Sequence, residues 1–418
     1  MVGVVIGESS MVIDLEGKDI SLWVGTTKQT NYPEFSGGEA TFDAAVVGGG
    51  ITGIIAAYQL QQTGLRVVLL EKSRIVEWTT GGTTAKLTSQ HYLIYDYLIK
   101  RHGQPAAAAF AMANQNGIDE IENLSKELGI ECDFSRRSAY VFTGRDDKVN
   151  NIKSEVASAA SLGLSASFET EVGLPFEVKG AIKFSNQAQF HPRKFLLGLA
   201  AYFVSAGGVI YEHTKAVDIL PGSPNVIKTK QGDLYAKFIV QASGEPFWGG
   251  DILQGKMWSK MSYALAVELN DESSYPRDMY ITTDTPMRTI RTADYDGGRV
   301  MIFGGESHEY SEATYDPDSR YRALTKDVHE RFDVNKVLYR WLAGDYMPYD
   351  RMPYIGPHPG YPSIFIATGY RAWGLAWAMS AARIITGYVT GRPLSWAPPF
   401  GLERAKDSVL ASDKTNLL

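Results

Sequence analysis

Cysteine is almost missing from this sequence, which has only Cys132 among its 418 residues. A single thiol excludes an intrachain disulfide, a Cys-x-x-Cys redox pair and any iron–sulfur or zinc site built from several cysteines. The seven histidines show no metal-binding spacing, so we predict no metal. Basic residues are not in excess either, because 41 Lys and Arg stand against 47 Asp and Glu. This balance disfavours binding to nucleic acid or to an anionic membrane.

A convincing membrane span or targeting signal is also missing. The uncharged stretch 44–65 contains three consecutive glycines and three glutamines, which argues against a membrane helix. The first residues are apolar but have no basic flank. We therefore expect a soluble, cytoplasmic protein. Its 44% of hydrophobic residues and its length suit a large core in two or three lobes.

Glycine is abundant, and its strongest cluster lies between two apolar runs. Residues 42–47 indicate a strand, the turn Gly48-Gly49-Gly50-Ile51-Thr52-Gly53 matches G-x-G-x-x-G, and residues 51–63 indicate a helix. A second apolar run, 66–70, ends at Glu71, followed by Lys72. Strand, glycine turn, helix, strand and terminal acid together predict a dinucleotide-binding βαβ unit. A turn that serves packing alone is the simpler alternative.

Each position of the turn has a physical role. Gly48 permits the tight turn, Gly50 lets a pyrophosphate approach the backbone, and Gly53 lets the helix pack closely on the strand. Free N–H groups at the helix N-terminus favour the phosphates. The Glu71 carboxylate can accept hydrogen bonds from a ribose diol.

The segment after the second strand favours FAD over NAD. Residues 81–91 are mostly small, so their N–H groups can line a pyrophosphate and an isoalloxazine edge. Two later strands, 238–244 and 363–369, also end in glycine, and the second leads into a helix that reaches residue 389. The N-terminus of that helix can stabilise negative charge on a reduced flavin. The predicted FAD contacts are Gly48, Gly50, Ile51, Thr52, Gly53, Glu71, Lys72, Gly82, Thr83, Thr84, Ala85, Lys86, Leu87, Val217, Ser243, Gly244, Gly369, Arg371, Trp373, Gly374 and Leu375.

The remaining segments alternate between helical and extended patterns. Helices are predicted over 104–128, 148–162, 192–206 and 319–332, and short strands over 209–240. Runs at 139–143, 263–269, 279–283, 288–292 and 300–303 predict strands, most of them in an antiparallel sheet. The fold class is therefore α/β: a discontinuous nucleotide-binding domain with an inserted lobe.

The ordered motifs resemble those of the FAD-dependent oxidoreductases of the D-amino-acid oxidase and glycine oxidase superfamily, over about residues 20–400. The matching pieces are Gly82-Thr-Thr-Ala-Lys-Leu-Thr-Ser-Gln-His91, Gln189-Phe-His-Pro192, Asp350-Arg-Met-Pro-Tyr-Ile-Gly356 and Ala367-Thr-Gly-Tyr-Arg-Ala-Trp-Gly374. Some members of this branch carry a C-terminal Rieske domain. This chain lacks the necessary Cys and His pairs, so we expect that electron route to be absent.

The resemblance implies a Rossmann-like FAD-binding domain in three pieces, 41–100, 185–250 and 345–400. Residues 101–184 and 251–344 would form an α+β substrate domain with a mostly antiparallel sheet, flanked by an N-terminal arm (1–40) and a C-terminal tail (401–418). It also implies oxidation of a C–N bond of an amine or amino acid, by hydride transfer to flavin N5. Dioxygen commonly reoxidises the flavin in this family.

Five residues are candidates for catalytic roles. Lys86 could hold a water or assist dioxygen near N5, and Arg371 could offset charge on reduced flavin. Trp373 could close the pocket wall, although core packing is as good an explanation. Tyr263 and Arg291 lie on strands of the expected substrate sheet, where outward, solvated positions are more common. His91 and His191 are better explained as structural residues.

One departure from the family pattern concerns the substrate anchor. Glycine oxidase-like members place an arginine before a proline where this chain has Met347-Pro348, and a thioether cannot pair with a carboxylate. Either Arg288, Arg291 or Arg351 takes that role, or the substrate is an amine without a carboxylate. Strand alternation puts Arg288 and Arg291 on opposite faces, so at most one faces the flavin.

Three other functions remain open from the sequence. A flavin dehydrogenase that reduces a quinone or a protein would look the same. A flavin monooxygenase is disfavoured, because its usual Gly-Asp doublet is replaced by Ala367-Thr-Gly369. A flavoprotein that holds FAD as a structural element is the non-enzymatic alternative. The sequence leaves the oligomeric state open.

Overall fold

The computed structural model describes residues 15–311 and 315–406. The helices in these ranges, in chain order, are α1 (Leu22–Gly25), α2 (Ile51–Gln62), α3 (Tyr95–His102), α4 (Gln104–Glu127), α5 (Val149–Ser161), α6 (Pro192–Ser205), α7 (Pro317–Arg331) and α8 (Gly374–Val389). The strands are β1 (Lys18–Asp19), β2 (Ala40–Val47), β3 (Val67–Leu70), β4 (Lys86–Leu87), β5 (Ser135–Thr143), β6 (Ala166–Glu169), β7 (Gly180–Gln189), β8 (Val209–Tyr211), β9 (Ala216–Leu220), β10 (Asn225–Thr229), β11 (Asp233–Gln241), β12 (Met257–Leu269), β13 (Met279–Thr282), β14 (Arg288–Tyr295), β15 (Gly298–Glu309), β16 (Val334–Pro348), β17 (Tyr354–His358) and β18 (Tyr361–Thr368).

One sheet is the dinucleotide-type sheet that the glycine turn predicts. Its strand order is β17-β18-β11-β2-β3-β8, and β9 and β10 extend it beside β11. The pairs from β18 to β8 are parallel, and β17 is antiparallel. Strand β3 and the second half of β2, residues 44–47, are wholly apolar and buried, as expected of a parallel sheet covered on both faces. Helix α2 crosses over between them and packs against α8.

The other sheet has ten strands in the order β1-β16-β12-β15-β14-β13-β5-β7-β4, with β6 beside β7. It is antiparallel except at the β1–β16 and β13–β5 pairs, which confirms the predicted substrate sheet. Its two faces belong to different cores, as strand alternation requires. Tyr263 packs with Tyr321 and Leu324 of α7, whereas its neighbour Ala264 joins the core shared with α2 and α8.

Residues 15–35 cross from one sheet to the other. Arg340 of the ten-stranded sheet donates hydrogen bonds to the carbonyls of Leu15, at 2.8 Å, and Gly17, at 2.7 Å. Further along, the backbone N–H of Tyr32 donates to the buried Glu212 carboxylate, at 3.0 Å, beside the parallel sheet. The described part of the predicted arm is therefore packed against both lobes.

The five helices predicted with both bounds are confirmed within two residues at each end, and the helix predicted to reach residue 389 begins at Gly374. Helices α1 and α3 were not predicted. The four strands predicted only loosely over 209–240 are β8 to β11. Six strands in the described ranges were not predicted: the short β1, β4, β6 and β17, the ten-residue β7 and the 15-residue β16. Strand β16 runs across residue 345, where we predicted a domain boundary, and that division of the chain stays a prediction. Among the described residues, none of the helices has both the length and the apolar character needed to cross a bilayer.

Candidate active site

The glycine turn has the geometry that the sequence predicts. Gly48 has φ of 114°, and a Cβ there would lie 2.5 Å from the Ala242 carbonyl oxygen. A Cβ on Gly53 would lie 1.8 Å from the Gly48 carbonyl oxygen, so only glycine lets α2 begin this close to the turn. Gly50 differs, because the one protein atom near its Cβ position is the Thr80 hydroxyl, at 3.1 Å. The backbone at Gly50 therefore faces open space.

Glu71 closes the turn from the end of β3. Its carboxylate accepts hydrogen bonds from the N–H groups of Gly49, at 2.7 Å, and Ser73, at 2.9 Å. Burial nevertheless raises its pKa above the ordinary value. Each oxygen keeps a second lone pair, so the carboxylate can still accept a bond from a ribose hydroxyl. Lys72 lies 4.5 Å above the ring of Trp78, which is exposed.

The segment from Gly82 to Leu87 is fixed through its carbonyl groups. The indole N–H groups of Trp341 and Trp23 donate to the carbonyls of Gly82, at 2.8 Å, and Thr83, at 2.6 Å. A third donor, the Arg291 guanidinium, holds the Ala85 carbonyl. Three long side chains thus hold small residues against the ten-stranded sheet, and Leu87 is buried.

Lys86 is a buried amine. Its Nζ contacts the hydroxyls of Thr289 and, at 3.4 Å, Thr84. Within the ranges that the structure describes, no carboxylate lies within ion-pair distance of it. Burial, with a smaller contribution from the Arg291 charge, lowers the pKa of Lys86 to about 7.

A strained turn precedes α8. Arg371 and Ala372 both have left-handed backbones, with φ of 56° and 68°, which is costly for residues with a Cβ. The carboxylate of Asp345 on β16 accepts the Ala372 N–H at 2.7 Å. Trp373 is the N-cap residue and stacks on His91, with ring centroids 5.0 Å apart. Burial lowers the pKa of Arg371 to about 9.

The predicted FAD contacts at the ends of the two later glycine-ended strands, Ser243, Gly244 and Gly369, lie next to this turn. Gly369 has φ of 77°, and a Cβ there would meet Pro348 at 2.5 Å. The Gly244 carbonyl accepts a hydrogen bond from the Thr368 hydroxyl, which ties residues 243–244 to the end of β18. Val217 is the exception: it lies on β9, outside the parallel strands, and 46% of its surface is exposed.

The ten-stranded sheet separates the predicted catalytic residues into two groups. Arg291 lies on the face that carries Thr289 and Lys86, and it packs 5.3 Å above the Trp23 ring. Tyr263 lies on the opposite face, where its hydroxyl contacts His308 Nε2 at 3.2 Å. Lys86 and Arg291 therefore lie on the face of the sheet whose core includes α2 and α8, and Tyr263 does not.

Tyr263 and Arg291 correct our expectation of outward, solvated side chains on these strands, because both are buried. Arg288 is buried as well. It is 3% exposed and forms ion pairs with Glu306, at 2.8 Å, and Asp327 of α7. These two acids come from β15 and α7, and the docking of α7 on this face explains the burial. Arg288 is therefore engaged in structural pairs, on the face that carries Tyr263.

Lys260 and Asp345 are two site residues that the sequence did not predict. They are directly opposite each other on β12 and β16. Burial lowers the pKa of Lys260 to about 8 and raises that of Asp345 to about 6. Eighty-odd residues separate them in the chain, and only the strand register brings them together.

The residues of this cleft fit FAD. The open backbone at Gly50 and the start of α2 suit a pyrophosphate, and Glu71 suits a ribose. The small residues from Gly82 and the start of α8 would contact the planar ring with little side-chain bulk. The parallel sheet, its glycine turn and the sheet that covers it define a two-lobed, dinucleotide-dependent oxidoreductase.

Comparisons with known proteins identify the family. The family model described as FAD dependent oxidoreductase matches residues 43–387. The chain is 33% identical over 370 residues to YhfW of Bacillus subtilis (strain 168), a protein named for a Rieske 2Fe-2S iron–sulfur centre, with 88% of this chain and 72% of that protein covered. Gamma-glutamylputrescine oxidoreductase of Escherichia coli (strain K12) is 24% identical over 376 residues, with 84% of each covered.

The fold agrees with solved structures. Glycine oxidase from Geobacillus kaustophilus superposes with a TM-score of 0.75 at 18% identity, over 87% of this chain and 98% of that one. The chain belongs to the FAD dependent oxidoreductase family, and FAD is its cofactor. This confirms the predicted family, fold class and cofactor.

Proposed function

We propose that the protein oxidises the C–N bond of an amine or amino acid and that dioxygen reoxidises its FAD. Two relatives support the choice of substrate class, because their names specify gamma-glutamylputrescine and glycine. A cytoplasmic location stays a prediction of the sequence alone.

The observation that carries the proposal is the buried Lys86 amine. It lies where the flavin segment meets the substrate-type sheet, and hydroxyl groups rather than carboxylates surround it. A lysine with a pKa of about 7 gains and releases a proton near neutral pH. Such a group can support proton transfer or stabilise a reduced oxygen species by its charge.

FAD supplies the hydride acceptor, and the chain supplies position and charge. Arg291 fixes the Ala85 carbonyl, so the backbone beside Lys86 cannot turn. Arg371 presents a guanidinium at the start of α8, where its positive charge would offset negative charge on a bound, reduced flavin ring. Trp373, stacked on His91, forms an apolar wall beside this turn. The substrate loses a hydride from its α-carbon and a proton from nitrogen, and the imine then hydrolyses in water.

The test follows the flavin absorbance of the FAD-bound protein under anaerobic conditions with a panel of amines and amino acids. We expect at least one compound to bleach the flavin and admission of air to restore it, with one hydrogen peroxide released per substrate. Bleaching by none of the panel would contradict the proposal and favour a structural FAD. In Lys86→Met, reoxidation by air should slow more than bleaching does, and unchanged reoxidation would remove Lys86 from this role.

A second candidate is a dehydrogenase that passes electrons to a protein or quinone. The relative at 33% identity favours it, since that protein is named for an iron–sulfur electron carrier. Reoxidation of the same bleached protein distinguishes the oxidase from the dehydrogenase. Slow recovery in air, rapid recovery with an added quinone and little peroxide would establish the dehydrogenase.

A further inference from the structure

Lys260 and Asp345 end a row of side chains on one face of the ten-stranded sheet. Residues directly opposite each other in antiparallel strands point to the same face, so Lys260 shares its face with Asp345. Alternation along β16 places Asp345 on the face of Ala343 and Trp341. Trp341 donates its indole N–H to the Gly82 carbonyl at 2.8 Å, and a Cβ on Gly82 would lie 3.0 Å from the Ala343 Cβ. The row therefore runs along the segment predicted to contact the flavin.

This face of the sheet becomes accessible at the Lys260 end of the row. Ala264 and Trp341, which are opposite each other, are buried, whereas Lys260 and Asp345 keep part of their surface accessible. Arg371, in the turn before α8, is also only partly buried. Three charged side chains thus meet where the sheet, the flavin segment and the start of α8 come together.

The Asp345 carboxylate is fully engaged by the backbone. Its two oxygens accept the N–H groups of Tyr346 and Ala372, both at 2.7 Å. The Arg371 N–H donates to the Tyr346 carbonyl, at 3.3 Å. These bonds hold the left-handed turn against β16, so Asp345 positions the backbone that carries Arg371.

The Lys260 amine has no such partner. In residues 15–311 and 315–406, no atom accepts a hydrogen bond from its Nζ, and no carboxylate lies within ion-pair distance. Burial, and then the Arg371 charge, lower the pKa of Lys260 to about 8, although Asp345 opposes them. Glu309, opposite Lys260 on β15, is exposed. An enclosed ammonium without an acceptor is costly, and a ligand that offers an acceptor would remove that cost.

The flavin ring of FAD has the matching chemistry. It carries carbonyl oxygens and ring nitrogens that accept hydrogen bonds, and it gains negative charge on reduction. The charges of Lys260 and Arg371 are opposed by Asp345 alone, so this group of side chains has a surplus of positive charge. A ring that becomes negative would balance that surplus.

We infer that Lys260 is a cofactor-contacting residue, whose ammonium donates a hydrogen bond to the flavin ring of bound FAD and offsets the negative charge of the reduced ring. Asp345 is the positioning residue beside it. Lys86 is a separate group, because its amine already contacts two hydroxyls. The inference concerns the cofactor of the family, so it goes beyond the proposed substrate chemistry and does not depend on it.

The first experiment measures FAD retention. The FAD-bound protein is diluted, and the fluorescence of released FAD gives the dissociation constant. Lys260→Met should weaken FAD binding by about tenfold or more, because a hydrogen bond from a charged donor is lost, and Lys260→Arg should weaken it less. Lys126→Met, which removes an exposed lysine paired with Glu122, is the matched control. Far-ultraviolet circular dichroism verifies that each variant is folded.

The second experiment measures the midpoint potential of the bound FAD during anaerobic reduction beside a reference dye. At about pH 7, Lys260→Met should make the potential more negative by about 30 mV or more, which is tenfold for two electrons. Asp345→Asn removes a negative charge and should shift the potential in the opposite direction. The Lys260→Met shift should shrink at about pH 9.5, where the wild-type lysine has lost its proton. A general loosening of the fold would not produce shifts of opposite sign.

Two outcomes would overturn the inference. One is an unchanged FAD dissociation constant together with an unchanged potential in Lys260→Met. The other is a change confined to the KM of an amine substrate, which would assign Lys260 to the substrate instead. If no amine bleaches the flavin, the proposed function fails, while both measurements on the cofactor still decide the role of Lys260.

Discussion

The carboxylate of Asp345 accepts a 2.7 Å hydrogen bond from the backbone N–H of Ala372. Asp345 belongs to the ten-stranded sheet, and Ala372 belongs to the left-handed turn that starts α8. One hydrogen bond therefore joins the substrate-type lobe to the backbone that orients Arg371. Neither lobe alone contains a complete site, because the turn and the acid that restrains it come from different sheets.

Gly50→Val should abolish FAD retention without unfolding the protein. The valine side chain would fill the open space beside the turn, and the one protein atom near its Cβ would be the Thr80 hydroxyl. The flavin-to-protein absorbance ratio and the far-ultraviolet circular dichroism spectrum measure the two effects. Gly298→Val is the matched control, since the nearest atom to its Cβ is 3.7 Å away on an exposed hairpin. Normal flavin content in Gly50→Val would contradict the role of the glycine turn in FAD binding.

Lys86→Met should raise thermal stability, and more so at low pH. Burial holds the folded-state pKa of Lys86 at about 7, below its ordinary value of 10.5. The unfolded chain therefore binds this proton more tightly, so wild-type stability rises with pH between these values. At about pH 6 the buried ammonium carries its full cost, on the order of a few kcal/mol, and methionine removes it.

The measurement is the difference in Tm between Lys86→Met and wild type, at about pH 6 and about pH 9.5, which bracket most of that range. We expect the gain to shrink at the higher pH. Lys100→Met, at an exposed ion pair with Asp96, is the control and should show little dependence on pH. A gain in Tm that grows with pH would contradict the lower pKa of Lys86 in the folded protein.

Arg351→Gly should be more stable than Arg351→Ala, by about 0.5 to 1 kcal/mol. Both variants lose the guanidinium and its contact with Tyr97, so their difference isolates the cost of a Cβ at a φ of 64°. Urea unfolding midpoints provide the comparison. The same pair at Arg145, where φ is −118°, should show the opposite order, because alanine is favoured there. Equal midpoints at Arg351 would mean that its backbone is not strained.

Arg404→Gln should destabilise the protein by about 3 kcal/mol. Asp350 is 1% exposed, and the loss of Arg404 would leave its charge buried without this partner. Adding Asp350→Asn should recover part of the loss, and urea unfolding of the double-mutant cycle measures how much. Lys406→Gln, which breaks an exposed pair with Glu403, should change stability by less than about 1 kcal/mol. No recovery in the double variant would argue that Arg404 acts by packing alone.

Local sequence signals predicted the dinucleotide half of the site. The spacing of Gly48, Gly50 and Gly53 is set by a turn that only a few residues build, so the pattern carries its own geometry. Helix ends were predicted within two residues because caps and prolines mark them locally. The same signals placed Glu71 at the end of β3.

The substrate half depended on pairings between distant strands. Strand β16 mixes charged, glycine and aromatic residues, so alternation did not reveal it. The Lys260–Asp345 pair exists only through the register of β12 and β16, and register is not encoded in either segment alone. Tyr263 and Arg288 are buried because α7 docks on the face that they share, which no local pattern of β12 or β14 could indicate.

The segment that joins the two lobes constrains the order in which contacts can form while the chain is being synthesised. Arg340 is synthesised 325 residues after Leu15, so its hydrogen bonds to the carbonyls of Leu15 and Gly17 can form only at that stage. Trp23 likewise reaches its acceptor only after Thr83 has been synthesised. Leu15 and Gly17 are thus among the last residues to reach their final contacts, since Arg340 must be synthesised first. A nascent chain interrupted before β16 would leave Leu15 and Gly17 without these hydrogen bonds and this segment open to proteases.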